Sequence, residues 1–262
     1  ATNIAAGIGS DNAVISSAGT IAANTYATVT ELETIGADNK SIIFSVKDTA
    51  SNLAGATAAR ILKAVNVIAT TDATVAQAET IDTNTNAGAG GYNTYNIKDT
   101  AANIAAKSNT FLAKAGTVTV DGTANIAQAE TISALSKAVV YSINDSAANA
   151  LATAGAAYNE AVNIEITGNL TVAKADIIKE ASNSGDKTYV IEDNATAIAA
   201  AVTGTTGSTA DLQTLNGATT VTVSGTATFA QAATIAGITK AVIYSISDEQ
   251  ANIPGSTTGA LN

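Results

Sequence analysis

The feature of this chain that most constrains its fold is an internal repeat of about fifty residues. The phrase Lys47–Ala54 returns almost unchanged as Lys98–Ala105, and looser copies follow. Each copy is marked by an aspartate, and successive aspartates are 46 to 55 residues apart: Asp48, Asp99, Asp145, Asp193 and Asp248. Self-similarity at such a period is typical of repeat architectures, in which one supersecondary unit packs on the next.

A second phrase recurs between these copies and predicts a short helix. Thr74–Ile81 returns as Asn125–Ile132, with further copies that begin at Thr171 and Thr228. The leading Thr or Asn can cap the free N–H groups of a helix. Three copies carry a glutamine three residues later, which is typical of a capping box: Gln77, Gln128 and Gln231. The repeated aspartates are interpreted as N-caps of the other short helix of each unit.

The residues before each aspartate predict a strand with one buried face. An aromatic residue lies four positions before the aspartate, and Val or Ile lies two positions before it. A period of two places both columns on the same face. The aromatic column is predicted to form a structural ladder in the interior: Phe44, Tyr95, Tyr141, Tyr189 and Tyr244.

These patterns together predict an α/β repeat solenoid. It has about five units of roughly fifty residues, each a strand, a short helix, a strand and a short helix, with stacked inward ladders. We expect a single continuous array over residues 1–262, with no domain boundary. The units are placed at roughly 1–40, 41–90, 91–136, 137–186 and 187–239, with a partial unit at 240–262.

Composition disfavours several classes of function. The chain has no His and no Cys, which excludes thiolate zinc sites, iron–sulfur clusters, disulfides and a Ser–His–Asp triad. A formal net charge of −10 disfavours nucleic acid and anionic lipid as partners. There is no run of eighteen apolar residues, so no insertion into a membrane is predicted. We expect no enzyme and no organic cofactor.

Calcium is the one cofactor that the sequence leaves open. Stacked carboxylates could supply some of the six to eight oxygen ligands that Ca²⁺ takes, and the weak candidates are Asp48, Asp99, Asp145, Asp193 and Asp248. Helix capping explains the same residues and is the interpretation we favour. A second acidic row is interpreted as a solvated helix face: Glu33, Glu79, Glu130 and Asp176.

The phrases Asp99–Ala106 and Val75–Ala78 resemble repeats of very large bacterial exoproteins. These are surface-layer-like, adhesin-like and haemolysin-type repeat proteins, often exported by type I systems. The resemblance covers nearly the whole chain and implies a structural role outside the cell or at the bacterial cell surface. The Gly-Gly-x-Gly-x-Asp nonapeptide of calcium β-rolls does not occur here, so that site is not carried over.

We therefore predict a non-enzymatic extracellular structural protein. It would be a segment of a bacterial surface layer, fibre or matrix that self-assembles as a homo-oligomer. One alternative is an adhesin stalk or glycan-binding module that contacts a cell-surface partner through the inserted loops Asp82–Gly91 and Val202–Gly217. Another is a polysaccharide-active β-helix enzyme, for which the solitary Arg60 is a poor basis.

Overall fold

The computed structural model describes residues 1–9, 17–38, 41–83, 92–151, 153, 155–204 and 211–254. The chain groups into two compact units, each with its own parallel strands and buried core. The first comprises residues 1–121 and 135–140, and the second comprises residues 122–134 and 141–262. The predicted single array over residues 1–262 rests on the sequence repeat and stays a prediction.

The first unit combines short helices with strands of two or three residues. Its described elements, in chain order, are α1 (Thr2–Gly9), β1 (Ile21–Ala22), α2 (Val29–Ile35), β2 (Ile42–Ile43), β3 (Val46–Asp48), α3 (Ala50–Gly55), α4 (Ala58–Ile61), β4 (Val67–Ala69), α5 (Val75–Thr83), β5 (Asn93–Thr94), β6 (Ile97–Asp99), α6 (Ala101–Ala105), α7 (Asn109–Leu112) and β7 (Val118–Val120). Strands β1 and β2 form one parallel sheet, β3, β4 and β5 a second, and β6 and β7 a third.

The second unit contains one five-stranded parallel sheet. Its described elements are α8 (Ile126–Ser133), β8 (Ile143–Ser146), a 3₁₀ turn (Ala147–Asn149), α9 (Ala156–Glu160), β9 (Ile164–Leu170), α10 (Val172–Lys179), β10 (Lys187–Asn194), α11 (Ala195–Thr203), α12 (Asp211–Gly217), β11 (Val221–Ala227), α13 (Phe229–Ile235), β12 (Val242–Ile246) and a second 3₁₀ turn (Gln250–Asn252). The strand order is β12-β11-β10-β9-β8, so strands that follow one another in sequence are neighbours in space. Every connection contains a helical segment, which is the usual form of the long crossover that parallel strands need.

The predicted solenoid of fifty-residue units is wrong, because successive strands pair directly with one another. Ile143 of β8 lies opposite Ile164 of β9, and Ile164 in turn lies opposite Lys187 of β10. The step from one strand to its neighbour is therefore 21 or 23 residues (143 to 164 to 187). The structure is a mixed α/β fold with several small parallel sheets and one larger parallel sheet.

The stacked inward ladders of that prediction are wrong for the same reason. Residues one sequence period apart lie two strands apart, since β9 separates β8 from β10. Strands of a sheet are spaced about 4.8 Å apart, so equivalent positions on β8 and β10 are separated by about 10 Å. In the second unit, equivalent positions of the repeat are therefore separated by an intervening strand.

The predicted helices and their buried faces are confirmed. In α5 the buried residues are Val75, Ala78 and Ile81, and α8 buries the corresponding Ile126, Ala129 and Ile132. Their spacing of three places them on one side of a short helix. The predicted capping boxes form as well, because the glutamine side chain and the leading residue bond to each other's backbone in all three copies: Thr74 with Gln77, Asn125 with Gln128, and Thr228 with Gln231.

Candidate functional site

The aspartate of each repeated phrase ties together two helix starts. The Oδ1 atom of Asp99 accepts hydrogen bonds from the Thr100 N–H at 2.7 Å and from Asn103 Nδ2 at 2.8 Å. Its Oδ2 atom accepts from the Val75 N–H at 2.8 Å. Val75 is the first residue of α5, and Thr100 is the N-cap of α6. One carboxylate therefore bridges two helix N-termini that are about one strand–helix step apart in the sequence.

The same arrangement occurs five times, and we name its residues the clasp aspartates: Asp48, Asp99, Asp145, Asp193 and Asp248. In every case Oδ2 accepts from the first N–H of the preceding helix, 19 to 24 residues upstream. Oδ1 accepts from the next backbone N–H. Oδ1 also accepts from an asparagine side chain: Asn52, Asn103, Asn149, Asn194 and Asn252.

The N-cap of the following helix is the residue after the aspartate and not the aspartate itself. Thr49, Thr100 and Asn194 are the N-caps, and each accepts from the N–H three residues later. The aspartate precedes the cap and turns one oxygen back to the earlier helix. Local sequence patterns miss that second bond because its two ends are about twenty residues apart. The usable signal was the regular distance from each Thr or Asn helix start to the following aspartate.

Hydrogen bonding lowers the pKa of four clasp aspartates: Asp48, Asp99, Asp145 and Asp248. Burial of the Asp99 carboxyl raises its pKa, but the bonds from Asn103, Val75 and Thr100 outweigh it and hold the pKa below the ordinary 3.8. The pKa of Asp48 and of Asp145 is lowered by the same balance. For Asp248, the hydrogen bonds from Asn252, Phe229 and Glu249 lower the pKa. In these four clasps the structure favours the ionised carboxylate, which is also the form favoured at a helix N-terminus.

The calcium candidates are not gathered into one site. Over the described ranges, no three acidic side chains lie close enough together to hold a metal ion. Each candidate is a clasp aspartate whose oxygens already accept three hydrogen bonds. In the second acidic row, Glu33 pairs with Arg60, Glu79 with Lys107 at 2.7 Å, and Asp176 accepts from Thr214 at 2.8 Å. Calcium binding by the clasp aspartates stays a prediction.

Lysines stabilise the opposite ends of several helices. A helix C-terminus leaves carbonyl groups without partners and carries a partial negative charge. Three lysine Nζ atoms donate to carbonyl oxygens just beyond a helix, at 2.6 to 2.7 Å: Lys63 to Gly36, Lys137 to Ala115 and Lys187 to Ala181. Acidic groups at helix N-termini and lysines at helix C-termini thus both oppose the partial charge of the helix end.

Asparagines connect neighbouring segments in an equally regular way. Six Oδ1 atoms accept from a backbone N–H that lies 21 to 27 residues later: Asn66 from Tyr92, Asn96 from Thr117, Asn109 from Ser136, Asn159 from Ser182, Asn163 from Asp186 and Asn216 from Thr239. This separation is again one strand–helix step. These six asparagines therefore have a structural role, since each amide oxygen satisfies a backbone donor on the adjoining segment.

The aromatic column is buried at four of its five positions. Phe44, Tyr95, Tyr141 and Tyr189 are at most 2% exposed, whereas Tyr244 is 36% exposed. Burial raises the pKa of Tyr95, Tyr141 and Tyr189 to about 12. The hydroxyl of Tyr141 donates to the Ala157 carbonyl at 2.9 Å, and that of Tyr189 donates to the Thr214 carbonyl at 3.0 Å.

Tyr95 differs from the other buried tyrosines of the column. Its buried hydroxyl has no hydrogen-bond partner within the described part of the chain. The first copy of the repeat has Phe44 at this position, which needs no partner. The Tyr95 side chain therefore contributes to the fold through the packing of its ring, and its hydroxyl adds no hydrogen bond within the described part of the chain.

An open groove of about 290 Å³ lies in the first unit beside Tyr26 and Ile43. Tyr26 is 48% exposed and Ile43 is 50% exposed, and the groove is also lined by Asn24 and Thr25. Of the loops predicted to bind a partner, Asp82–Gly91 lies largely outside the described residues, at 84–91. The prediction of a loop over Val202–Gly217 is wrong at both ends, because Val202 and Thr203 belong to α11 and Asp211–Gly217 forms α12; only 205–210 lie outside the described residues.

The outer edge of the five-stranded sheet is apolar and exposed. Over the described residues, β12 pairs with β11 on one side and with no strand on the other. Ile243 is 65% exposed and Ile246 is 47% exposed. We name this strand, Val242–Ile246, the β12 edge. It was missed by sequence reasoning because Tyr244 and Ile246 fall in columns that were expected to be buried throughout.

Comparison with known proteins gives no relative: no family model, curated protein or solved structure matches the chain. The resemblance to repeats of bacterial surface-layer-like and adhesin-like exoproteins therefore stays a prediction. Every helix in the described part of the chain is too short or too polar to cross a bilayer.

Proposed function

We propose that this protein is a non-enzymatic structural protein of the bacterial exterior, a segment of a surface layer, fibre or matrix that self-assembles. The observation that carries the proposal is the five-fold recurrence of the clasp aspartates. A carboxylate that accepts two backbone N–H groups and an amide N–H is committed to holding the fold together. The aspartates that recur most regularly in the sequence thus have a structural role.

The remaining polar side chains support the same conclusion. Lysines bond to carbonyls beyond helix ends, and asparagines bond to the backbone of the adjoining segment. Chemistry at a catalytic centre needs groups whose lone pairs and protons are available to a substrate. The proposed extracellular location rests on the resemblance to bacterial exoprotein repeats and on a composition that is acidic, low in Lys and Arg, and rich in Thr, Ala, Asn and Gly.

The test is the state of aggregation of the purified chain and of native material. In sedimentation, the average mass of the assemblies should increase with protein concentration. Negative-stain electron microscopy should show fibres or sheets. Turnover of a polysaccharide, with uronic-acid polymers as the first substrates to screen, would argue for the enzyme alternative. A monomer at every concentration, together with such turnover, would refute the structural role.

A glycan-binding role is the second candidate, and one observation favours it. The half-exposed ring of Tyr26 lies in a groove with the amide of Asn24 and the hydroxyl of Thr25, and Lys47 Nζ lies 5.8 Å from the ring centroid. An aromatic ring beside polar groups suits a sugar. Tyr26→Ala should abolish binding on a glycan array, while Tyr92→Ala, at another exposed tyrosine of the first unit, should not. Equal binding by both variants would exclude this groove.

A further inference from the structure

The β12 edge carries backbone groups that are oriented for one more strand. Ala227 and Ile246 are opposite one another, and the Ser247 N–H donates to the Ala227 carbonyl at 2.9 Å. Because backbone groups of a strand alternate between its two sides, the N–H and C=O groups of Tyr244 and Ile246 point away from β11.

The corresponding groups elsewhere in the second unit are paired. The Ile191 N–H donates to the Thr220 carbonyl at 3.0 Å, and the Tyr189 carbonyl accepts from the Thr219 N–H at 2.8 Å. Tyr189 and Ile191 are at most 1% exposed, whereas Tyr244 and Ile246, their equivalents, are 36% and 47% exposed. The β12 edge thus presents core-type residues and an open row of donors and acceptors.

Natural sheets protect such edges with charges, prolines or bulges. The sequence Val-Ile-Tyr-Ser-Ile of β12 has no charge and no proline, and the irregularity in its pairing with β11 lies on the β11 side, between Thr222 and Thr226. Charges lie just outside it, with the exposed Lys240 before the strand and the half-buried clasp aspartate Asp248 after it, which keeps its negative charge while it accepts its three internal hydrogen bonds. The edge is apolar and uncharged in the middle and carries opposite charges at its two ends.

We propose that the occupant of this edge is a second copy of the chain, with the two β12 strands antiparallel about a two-fold axis through Tyr244. Tyr244 then lies opposite Tyr244 of the other copy, and Val242 lies opposite Ile246. The same register places Lys240 opposite Asp248, so both ends of the pairing join opposite charges. The outward-facing N–H and C=O groups of the even-numbered residues meet as hydrogen-bonded pairs.

The charges at the strand ends select this orientation. A parallel, in-register pairing would place Lys240 beside Lys240 and Asp248 beside Asp248, and like charges directly opposite are destabilising. The antiparallel arrangement is isologous, since the same surface is used by both copies. It joins two five-stranded sheets into one continuous sheet of ten strands. This inference rests on the proposed self-assembly and names the contact through which it begins.

Disulfide cross-linking tests the register, and the chain is suited to it because it contains no cysteine. In the proposed dimer the two Tyr244 Cα atoms are about 5.5 Å apart, which is within disulfide range. Tyr244→Cys should therefore form a covalent dimer under mild oxidation with copper phenanthroline. Ile243→Cys is the matched control on the same strand, because Ile243 faces Ser245 of the other copy and should cross-link at least tenfold less.

A charge variant gives an independent measurement. Lys240→Glu places two acids opposite each other at both ends of the pairing, and it should weaken the dimer at least tenfold in sedimentation equilibrium, whereas Lys240→Arg should preserve it. Circular dichroism melts establish that each variant folds.

Equal cross-linking at positions 243 and 244, or a Lys240→Glu dimer as tight as the wild type, would overturn the proposal. Wild-type fibres or sheets without cross-linking at position 244 would overturn this contact and leave the structural role standing. A wild-type chain that never assembles would count against both.

Discussion

Replacing Asp99 by alanine tests whether the clasp aspartates hold the fold together. Asp99 is only 9% exposed, and its carboxylate accepts bonds from Val75, Thr100 and Asn103 at 2.7 to 2.8 Å. Alanine leaves the Val75 N–H without an acceptor at a residue that is 3% exposed, so water reaches it poorly. An unsatisfied buried donor costs about 1–3 kcal/mol. The exposed Thr100 N–H can turn to water and adds about 1 kcal/mol.

The expected loss is therefore about 3 kcal/mol of unfolding free energy. For a chain of this size, 1 kcal/mol shifts the melting temperature by about 2–4 °C, so Asp99→Ala should melt about 6–12 °C below the wild type. The assay is thermal melting by circular dichroism at pH 7, with hydrogen exchange at Val75 as a local reading. Asp72→Ala is the matched control, because this exposed aspartate precedes the same helix α5 without being a clasp.

Two results would refute the reasoning. One is a melting temperature for Asp99→Ala within 2 °C of the Asp72→Ala control, because a carboxylate that holds two helix starts cannot be dispensable. The other concerns calcium, which the clasp geometry does not require. If millimolar Ca²⁺ raises the wild-type melting temperature by many degrees and Asp99→Ala abolishes that rise, the carboxylate is a metal ligand and the clasp interpretation is wrong.

Tyr95→Phe should leave the melting temperature unchanged or raise it, because it removes a buried hydroxyl that has no partner among the described residues, whereas Tyr141→Phe should lose about 1 kcal/mol with its hydrogen bond. Urea titrations compare the two, and equal losses would contradict the assignment. Folding lowers the pKa of four clasp aspartates below 3.8, so their stabilisation is complete above that value and is lost as the pH falls through the lower, folded pKa. The melting temperature should hold from about pH 7 to 5 and fall below about pH 4, and a constant value down to pH 2 would argue against it. Gly185→Ala places a Cβ in steric clash with the Val162 carbonyl oxygen, so it should melt far below Gly55→Ala, whose Cβ meets no atom within 4 Å. Similar melting temperatures for these two variants would show that the close approach at Gly185 is relieved at little cost.

The helices and their caps could be predicted because they depend on residues close together in the sequence. A capping box joins residues three positions apart, and a buried helix face recurs at the same spacing. Thr74, Asn125 and Thr228 therefore begin helices where the sequence places them. The candidate site was only half predictable. The repeat identified the clasp aspartates, but not the upstream N–H to which each one bonds.

The sequence by itself determined which residues form strands, which start helices and which recur, since these depend on local side-chain alternation and capping. Tertiary structure decided which strands became neighbours, because that depends on where each connecting helix returns the chain to the sheet. The pairing step proved to be half of the sequence period, which separates the columns that were expected to stack. Tertiary structure also decided that Tyr189 is buried and Tyr244 is exposed. The two residues occupy the same place in the repeated phrase, but Tyr189 has a strand on both sides, whereas among the described residues Tyr244 has a strand on one side only.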